Sequence, residues 1–493
     1  MTENLLYYGD NLGVLRQHIS DESVDLVYLD PPFSSNKDYN VLFEEHDGER
    51  SAAQIQAFED TWEWDSEASA CYQEVLEAGG KVAEAMQAFR LFLGSTDMMA
   101  YLANMAPRLV ELRRVLKPSG SIYLHCDPTA SHYLKMLMDS IFGARNCRRE
   151  VIWRSGWVSG FKSKAKNWVR NHDVLLYYVK DRNNFTFNKE LAYKPHAEGY
   201  ERRGGGENPL GVAIDDVWDE NELYSPWIKS FSKEKLGYMT QKPRTLLERI
   251  ISVSSNPGDL VLDPFCGCGT TVVAAEVLKR RWIGIDITQL AVSLIKHSLE
   301  TLPGVHRVPR VIGEPTVIEE AEKLAHDEPY QFQWWALGLV GARPADEKKG
   351  ADKGIDGRLF FDDDPTSGKP KRVILSVKAG HVTVAQVRDL RGVIEREGAA
   401  IGVLISFEQP TKPMRKEAAD AGFYTSPWGS HPRLQLLTVG ELLEGKKVDY
   451  PRTAGSNVTY RQQPSKARKV AESPGLFDTP PESPKPATGR RKK

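Results

Sequence analysis

Read for the alternation of apolar and polar positions, the chain divides into short apolar runs separated by amphipathic stretches. "LLYYG", "VDLVYL", "SIYLHC", "DVLLYYV", "DLVLDPF" and "RWIGIDI" are short, rich in β-branched and aromatic residues, and read as strands. Between them "NLGVLRQHI", "MAYLANMAPRLVELRRVL", "SHYLKMLMDSIFG", "TLLERIISVS" and "TTVVAAEVLKR" carry apolar residues at helical spacing. Strands alternating with crossover helices predict an α/β fold with a parallel, doubly wound sheet over residues 1–300. The Pro- and Gly-spaced stretch "TLPGVHRVPRVIGEP" marks a boundary, with a linker at 301–315 and a second, smaller α/β unit at 316–449. Residues 450–493, rich in Pro, Ser and Lys/Arg, read as a disordered basic tail.

Composition narrows the class without changing that division. A chain of 493 residues suits two or three domains, and 41% apolar with 27% charged residues describes a soluble globular protein. No apolar run approaches the ~20 residues of a membrane span. The start "MTENLLYYGD" lacks the basic and long apolar parts of a signal peptide, so a cytoplasmic location is expected. The five cysteines are odd in number and lack zinc-site spacing, which argues against a disulfide framework or structural zinc. Cys266 and Cys268 read as small residues in a tight loop.

The net charge of −2 conceals local bias. From residue 144 to 172 eight Lys/Arg face one acid, Glu150, with Trp153, Trp157, Phe161 and Trp168 interleaved. Cations mixed with flat rings suit a phosphate backbone and exposed bases; the alternative is a solvated basic loop over buried tryptophans. Residues 41–95 hold twelve Asp/Glu against three Lys/Arg at helix-like spacing. They read as a helical insertion that faces away from a polyanion or covers a pocket as a lid.

Two stretches carry candidate chemistry. "DLVLDPFCGCGTTVVAAEVLKRRWIGIDIT" has strand–turn–helix–strand form, with Gly267 and Gly269 in the turn and Asp286 ending the second strand, where an acid can accept hydrogen bonds from a ribose. Taken alone, it fits a structural turn or a dinucleotide site. Val272 stands where the dinucleotide fingerprint has its third glycine, which favours a more compact nucleoside ligand. In "SVDLVYLDPPFSSN", the Asp30 carboxylate and the Pro31 carbonyl, held rigid by Pro31 and Pro32, can accept both hydrogens of an exocyclic amine while Phe33 stacks on its ring. Such hydrogen bonds localise a delocalised lone pair and allow it to attack an electrophilic methyl group.

"DPPF" at 30–33, "DPFCGCGTT" at 263–271 and "GYMTQKPRTLLERII" at 237–251 together resemble the permuted, beta-type bacterial methyltransferases that modify N6 of adenine or N4 of cytosine in DNA. The resemblance extends over most of residues 1–300. It implies a Rossmann-like sheet binding S-adenosylmethionine, with Asp286 on the ribose and Asp10 near the adenine. It places Asp263, Phe265, Gly267 and Gly269 around the methionine end, near Thr240 and Lys242. Asp30, Pro31, Pro32 and Phe33 would form the catalytic loop. The resemblance also implies double-stranded DNA as partner, base flipping, and target recognition by residues 181–236. The DPP form favours adenine N6 over cytosine N4.

In the second unit, "KGIDGRLFFDDDPTSGKPKRVILSVKAG" reads as a hairpin with strands 356–361 and 372–379. A turn centred near residue 367 sets Asp356 across from Lys378. With its flanks the hairpin resembles the Mrr-like PD-(D/E)xK restriction-endonuclease core, in which Asp356 would bind Mg²⁺ and Lys378 would act on water. Ser376 departs from the acidic or amide middle position, and Asp352 would have to assist. A fused nuclease and a domain that only grips DNA both follow as readings. An NAD-dependent oxidoreductase and a silent DNA-binding module are the remaining functional alternatives, and a homodimer is the assembly considered.

Overall fold

The computed structural model describes residues 3–32, 62–154, 166–194, 196, 209–219, 241–302, 309–345, 354–363, 370–451, 457 and 459. The first apolar runs form β1 (Leu5–Tyr8) and β2 (Val24–Leu29), joined by α1 (Asn11–His18). Three helices follow, α2 (Ser66–Ala78), α3 (Gly80–Leu93) and α4 (Asp97–Val115), and then β3 (Leu116–Cys126) and α5 (Pro128–Phe142). The chain continues as β4 (Cys147–Trp153), β5 (Asp173–Val179) and three two-residue strands, β6 (Tyr193–Lys194), β7 (Val212–Ala213) and β8 (Val217–Trp218). The unit closes with α6 (Arg244–Ser254), β9 (Leu260–Asp263), α7 (Thr270–Val277), β10 (Arg281–Asp286), α8 (Gln289–Glu300) and β11 (Arg310–Ile312).

Among the described residues the large sheet has the order β11-β1-β10-β9-β2-β3-β5-β4-β8. It is parallel from β11 to β3, whereas β5 runs antiparallel to both β3 and β4. The sheet is therefore mixed rather than wholly parallel. Helix α5 carries the chain to β4, which lies parallel to β3 but one strand away; the chain returns through the gap as β5 and must run the other way. Strand β4 escapes a pattern reading because its polar start belongs to the basic stretch, and only Val151 and Trp153 of it are buried. Trp153 packs edge-on against His125 in the interior, so it is a core ring and not part of a nucleic-acid face, whereas Trp168 is 96% exposed.

Alternation along the strands divides the core into two layers. Val27 and Leu29 face helices α1 to α5, while Leu26 and Tyr28 face α6, α7 and α8. Tyr72 and Val75 of α2 and Met86 and Phe89 of α3 bury into the first layer, which fixes the acidic insertion to the fold from Trp62 onward. From neighbours β9 and β2 the chain winds outward in opposite directions. They form the topological switch point where ligands of such sheets bind.

The second unit is built from α9 (Ile318–Asp327), α10 (Pro329–Leu339), β12 (Arg343–Pro344), β13 (Gly357–Phe361) and β14 (Lys371–Lys378). It continues through α11 (Val384–Glu397), β15 (Ile401–Ser406), α12 (Lys412–Asp420), the hairpin β16 (Phe423–Ser426) and β17 (Gly429–Pro432), β18 (Leu434–Thr438) and α13 (Val439–Leu443). Its sheet, β12-β13-β14-β15-β18, is covered by α9, α10 and α13 on one face and by α11 and α12 on the other. The stretch read as a linker supplies β11, which pairs with β1 at the edge of the large sheet. Helices α8 and α10 touch, the Gln289 N–H donating to Gln331 Oε1 at 3.2 Å. Within the stretch read as a tail, Tyr450 is buried against Phe361 and Asn457 and Thr459 bond to β13, and apart from 450, 451, 457 and 459 that stretch lies outside the described residues.

Candidate active site

Strands β2 and β9 deliver two acids to the same end of the switch point. Asp30 follows β2, Asp263 ends β9, and Val27 pairs with Leu262 in the register between them. Asp263 is 3% exposed, and its Oδ1 accepts the Phe265 N–H at 3.0 Å. Burial, with the charges of Asp30 and Asp286 adding to it, pushes its carboxyl up to about 7. Lys242, just ahead of α6, forms an ion pair with Asp30 Oδ2.

The glycine turn follows from backbone demands. Gly267 (φ 48°) and Gly269 (φ 84°) both adopt left-handed conformations, and Gly269 caps α7. A Cβ on Gly269 would lie 2.5 Å from Ile295 Cγ1, so the close approach of α8 also requires glycine there. The Gly267 N–H donates to Asp286 Oδ2 at 2.9 Å, and Asp286 Oδ1 accepts the Thr288 N–H at 2.9 Å and its hydroxyl at 2.8 Å. Burial raises the Asp286 carboxyl against these bonds. Strand β1 runs beside β10, and the Gly9 N–H donates to Asp286 O at 3.0 Å, which brings Asp10 alongside. The Asp10 carboxylate caps α1 through Gly13 N–H at 3.0 Å and accepts from Arg108 Nη2 at 2.6 Å. Burial pushes the Cys266 and Cys268 thiols up, the latter to about 12, so both remain neutral fillers of the loop.

These groups open into one pocket of about 480 Å³, which Asp10, Asp30, Lys242, Phe265, Gly267 and Asp286 all line. That size suits a nucleoside-bearing ligand together with a second planar group. Phe33 and Thr240, expected beside Asp30 and Lys242, lie outside the described residues. Trp62 and Glu67 add a wall from the acidic insertion.

The far wall was not anticipated from sequence. The Tyr28 hydroxyl bonds His125 Nδ1 at 2.9 Å, His125 Nε2 lies 3.5 Å from Asp173, and Arg170 bridges Asp173 (2.6 Å) and Asp127 (2.8 Å). Burial opposes ionisation of Asp173, but His125 and Arg170 overcome it and hold its carboxyl well below the usual carboxylate range. Tyr28 carried a usable signal, since two residues before Asp30 a strand side chain faces the same side. Asp173 carried none. It reaches the pocket because β5 runs antiparallel, and its N-terminal end therefore meets the carboxyl end of β3.

In the second unit, Gly357 pairs with Leu375, so Asp356 stands opposite Ser376 and not Lys378; the turn is centred one residue earlier than expected. Asp356 Oδ2 accepts Ser376 Oγ at 3.0 Å, Val377 N–H at 2.7 Å and Lys378 Nζ at 3.4 Å. Three donors converge on the oxygen expected to hold a cation. Among the described residues no group of three or more His, Cys, Asp or Glu could hold a metal; Asp352 lies outside them.

Residues 24–297 match the N6/N4-type DNA methylase family, to which the chain belongs. Residues 330–444 match the family described as NACHT-associated inactive restriction endonuclease 1. Type II methyltransferase M.BamHI of Bacillus amyloliquefaciens is 28% identical over 331 residues, covering 65% of this chain and 61% of the relative. DNA adenine methyltransferase YhdJ of Escherichia coli K12 is 28% identical over 289 residues, covering 57% and 78%. Type II methyltransferase M.HpaI of Haemophilus parainfluenzae is 30% identical over 216 residues, covering 42% and 63%. The chain thus spans less than two thirds of the length of M.BamHI and M.HpaI.

Proposed function

We propose that this protein methylates the exocyclic amine of a flipped base in double-stranded DNA, with N6 of adenine as the preferred position and S-adenosylmethionine as donor. The observation that carries the reading is the meeting of Asp30 with the Gly267–Asp286 turn in one pocket at the switch point. The residues suit the cofactor. Asp286 keeps accepting capacity for a ribose diol, the glycine turn admits a close backbone approach, and Phe265 and Ile287 offer apolar surface. When bound, S-adenosylmethionine supplies an electrophilic methyl group on a sulfonium.

The chain's own residues do the rest. Asp30 and the Pro31 carbonyl accept the two amine hydrogens and localise the lone pair on nitrogen. Phe33 stacks on the base and offsets part of the few kcal/mol that unstacking costs. The far wall of Tyr28, His125 and Asp173 closes one side of the pocket with side chains that already bond to one another, which holds their orientation. Exposed Arg145, Arg149 and Trp168 suit contacts with the DNA backbone and bases.

Adenine is preferred over cytosine because of the DPP form, and YhdJ, named as an adenine methyltransferase, supports it. For residues 316–449 the DNA-gripping reading is favoured over cleavage, because Asp356 is already engaged by three donors. Single-molecule sequencing of DNA from cells expressing the protein tests the assignment. It should reveal N6-methyladenine in one recurring sequence context, and unmodified DNA would refute it.

A further inference from the structure

The pocket holds a conflict that its chemistry must resolve. Asp30 is the group assigned to the target amine, yet its carboxylate is occupied by the Lys242 ammonium. The pair is partly sheltered, the side chains being 17% and 26% exposed, so it cannot open without a replacement partner for the lysine or a cost in stability.

Lys242 sits between two halves of the pocket. Its charge acts on Cys268 in the glycine turn and on Asp173 in the far wall. The two guanidinium groups that line the pocket, Arg108 and Arg170, are engaged with other partners. Arg108 bonds Asp10, Asn11 and the Asn104 carbonyl, and Arg170 bonds Asp127, Asp173 and the His172 carbonyl. A cofactor that ends in an amino acid brings a carboxylate of its own, and Lys242 is the lining cation that borders the glycine turn.

We propose that Lys242 is a positioning residue that exchanges partners: without cofactor it holds Asp30, and the cofactor carboxylate draws it away, freeing Asp30 for the target amine. The exchange makes base capture depend on prior cofactor binding, and it keeps an unpaired carboxylate from facing phosphate-bearing DNA before a methyl donor is present. It rests on the assignment of Asp30 to the amine, and is tested separately from it.

If Asp30 and the cofactor carboxylate compete for Lys242, removing the Asp30 charge must strengthen cofactor binding. Calorimetry would compare S-adenosylhomocysteine with S-adenosyl-3-thiopropylamine, which keeps the ammonium and lacks the carboxylate. In Asp30→Asn the affinity ratio of the first to the second should rise by about threefold or more. In the Lys242→Met background the same substitution should leave the ratio unchanged, and Lys242→Met alone should lower it. A ratio that does not rise in Asp30→Asn, or that rises equally without Lys242, would overturn the exchange. Should Asp30→Asn fail to fold, an unchanged ratio in Lys242→Met would overturn it independently. Methyl transfer to DNA by Asp30→Asn, measured apart, reports on the Asp30 assignment itself.

Discussion

Gly267 and Asp286, nineteen residues apart in the chain, are joined by a 2.9 Å hydrogen bond from backbone to carboxylate that ties the glycine turn to the end of the neighbouring strand. The bond holds the turn in shape, and under the proposed function Asp286 also offers its remaining oxygen capacity to the cofactor ribose. Asp286→Ala should therefore weaken S-adenosylhomocysteine binding by about 1.5–3 kcal/mol. Calorimetry that finds unchanged affinity would remove Asp286 from the cofactor site.

Gly269→Ala should damage the same loop by a different route. The left-handed backbone and the 2.5 Å approach to Ile295 Cγ1 leave no room for a methyl group, so the Ile295 side chain or the backbone of α7 or α8 must shift. The expected outcome is a lower midpoint in thermal unfolding together with weaker cofactor binding, and wild-type values for both would contradict the geometry.

Asp263 predicts a pH effect with a definite sign. Its carboxyl rises from 3.8 toward about 7 in the folded chain, so the folded state holds a proton that the unfolded chain releases near pH 4. The favourable contribution is complete below about pH 4 and is lost as pH rises through about 7. Asp263→Asn, which keeps the shape without the charge, should gain stability relative to the parent across that window. Denaturant unfolding at pH 5 and pH 7.5 checks this, and a difference that shrinks toward pH 7.5 would contradict it.

Much of this site could be read from the chain because its residues stand in short runs that carry their own geometry. "DPFCGCG" needs glycine for its dihedrals, and "DPPF" ends an apolar strand in a rigid acid. The far wall could not be read, since His125, Arg170 and Asp173 meet only through the antiparallel insertion of β5, which no local pattern encodes. The same limit explains the hairpin of the second unit. Its strands were legible from alternation, whereas the register, and with it the partner facing Asp356, depended on a turn whose centre periodicity does not fix.

The second unit should not cut DNA. With Mg²⁺ or Mn²⁺, methylated and unmethylated plasmids should both survive, while removal of residues 316–493 should weaken DNA binding in a mobility-shift titration. Cleavage that Lys378→Ala abolishes would restore the nuclease reading.

The most direct test of the central claim follows the methyl group itself. Purified protein, DNA and S-adenosylmethionine carrying a labelled methyl group would be incubated, and the DNA digested to nucleosides for mass spectrometry. The label is predicted in N6-methyldeoxyadenosine, and Asp30→Ala should abolish it without weakening cofactor binding. Label on carbon 5 of cytosine, no label in DNA at all, or label undiminished in Asp30→Ala would contradict the account.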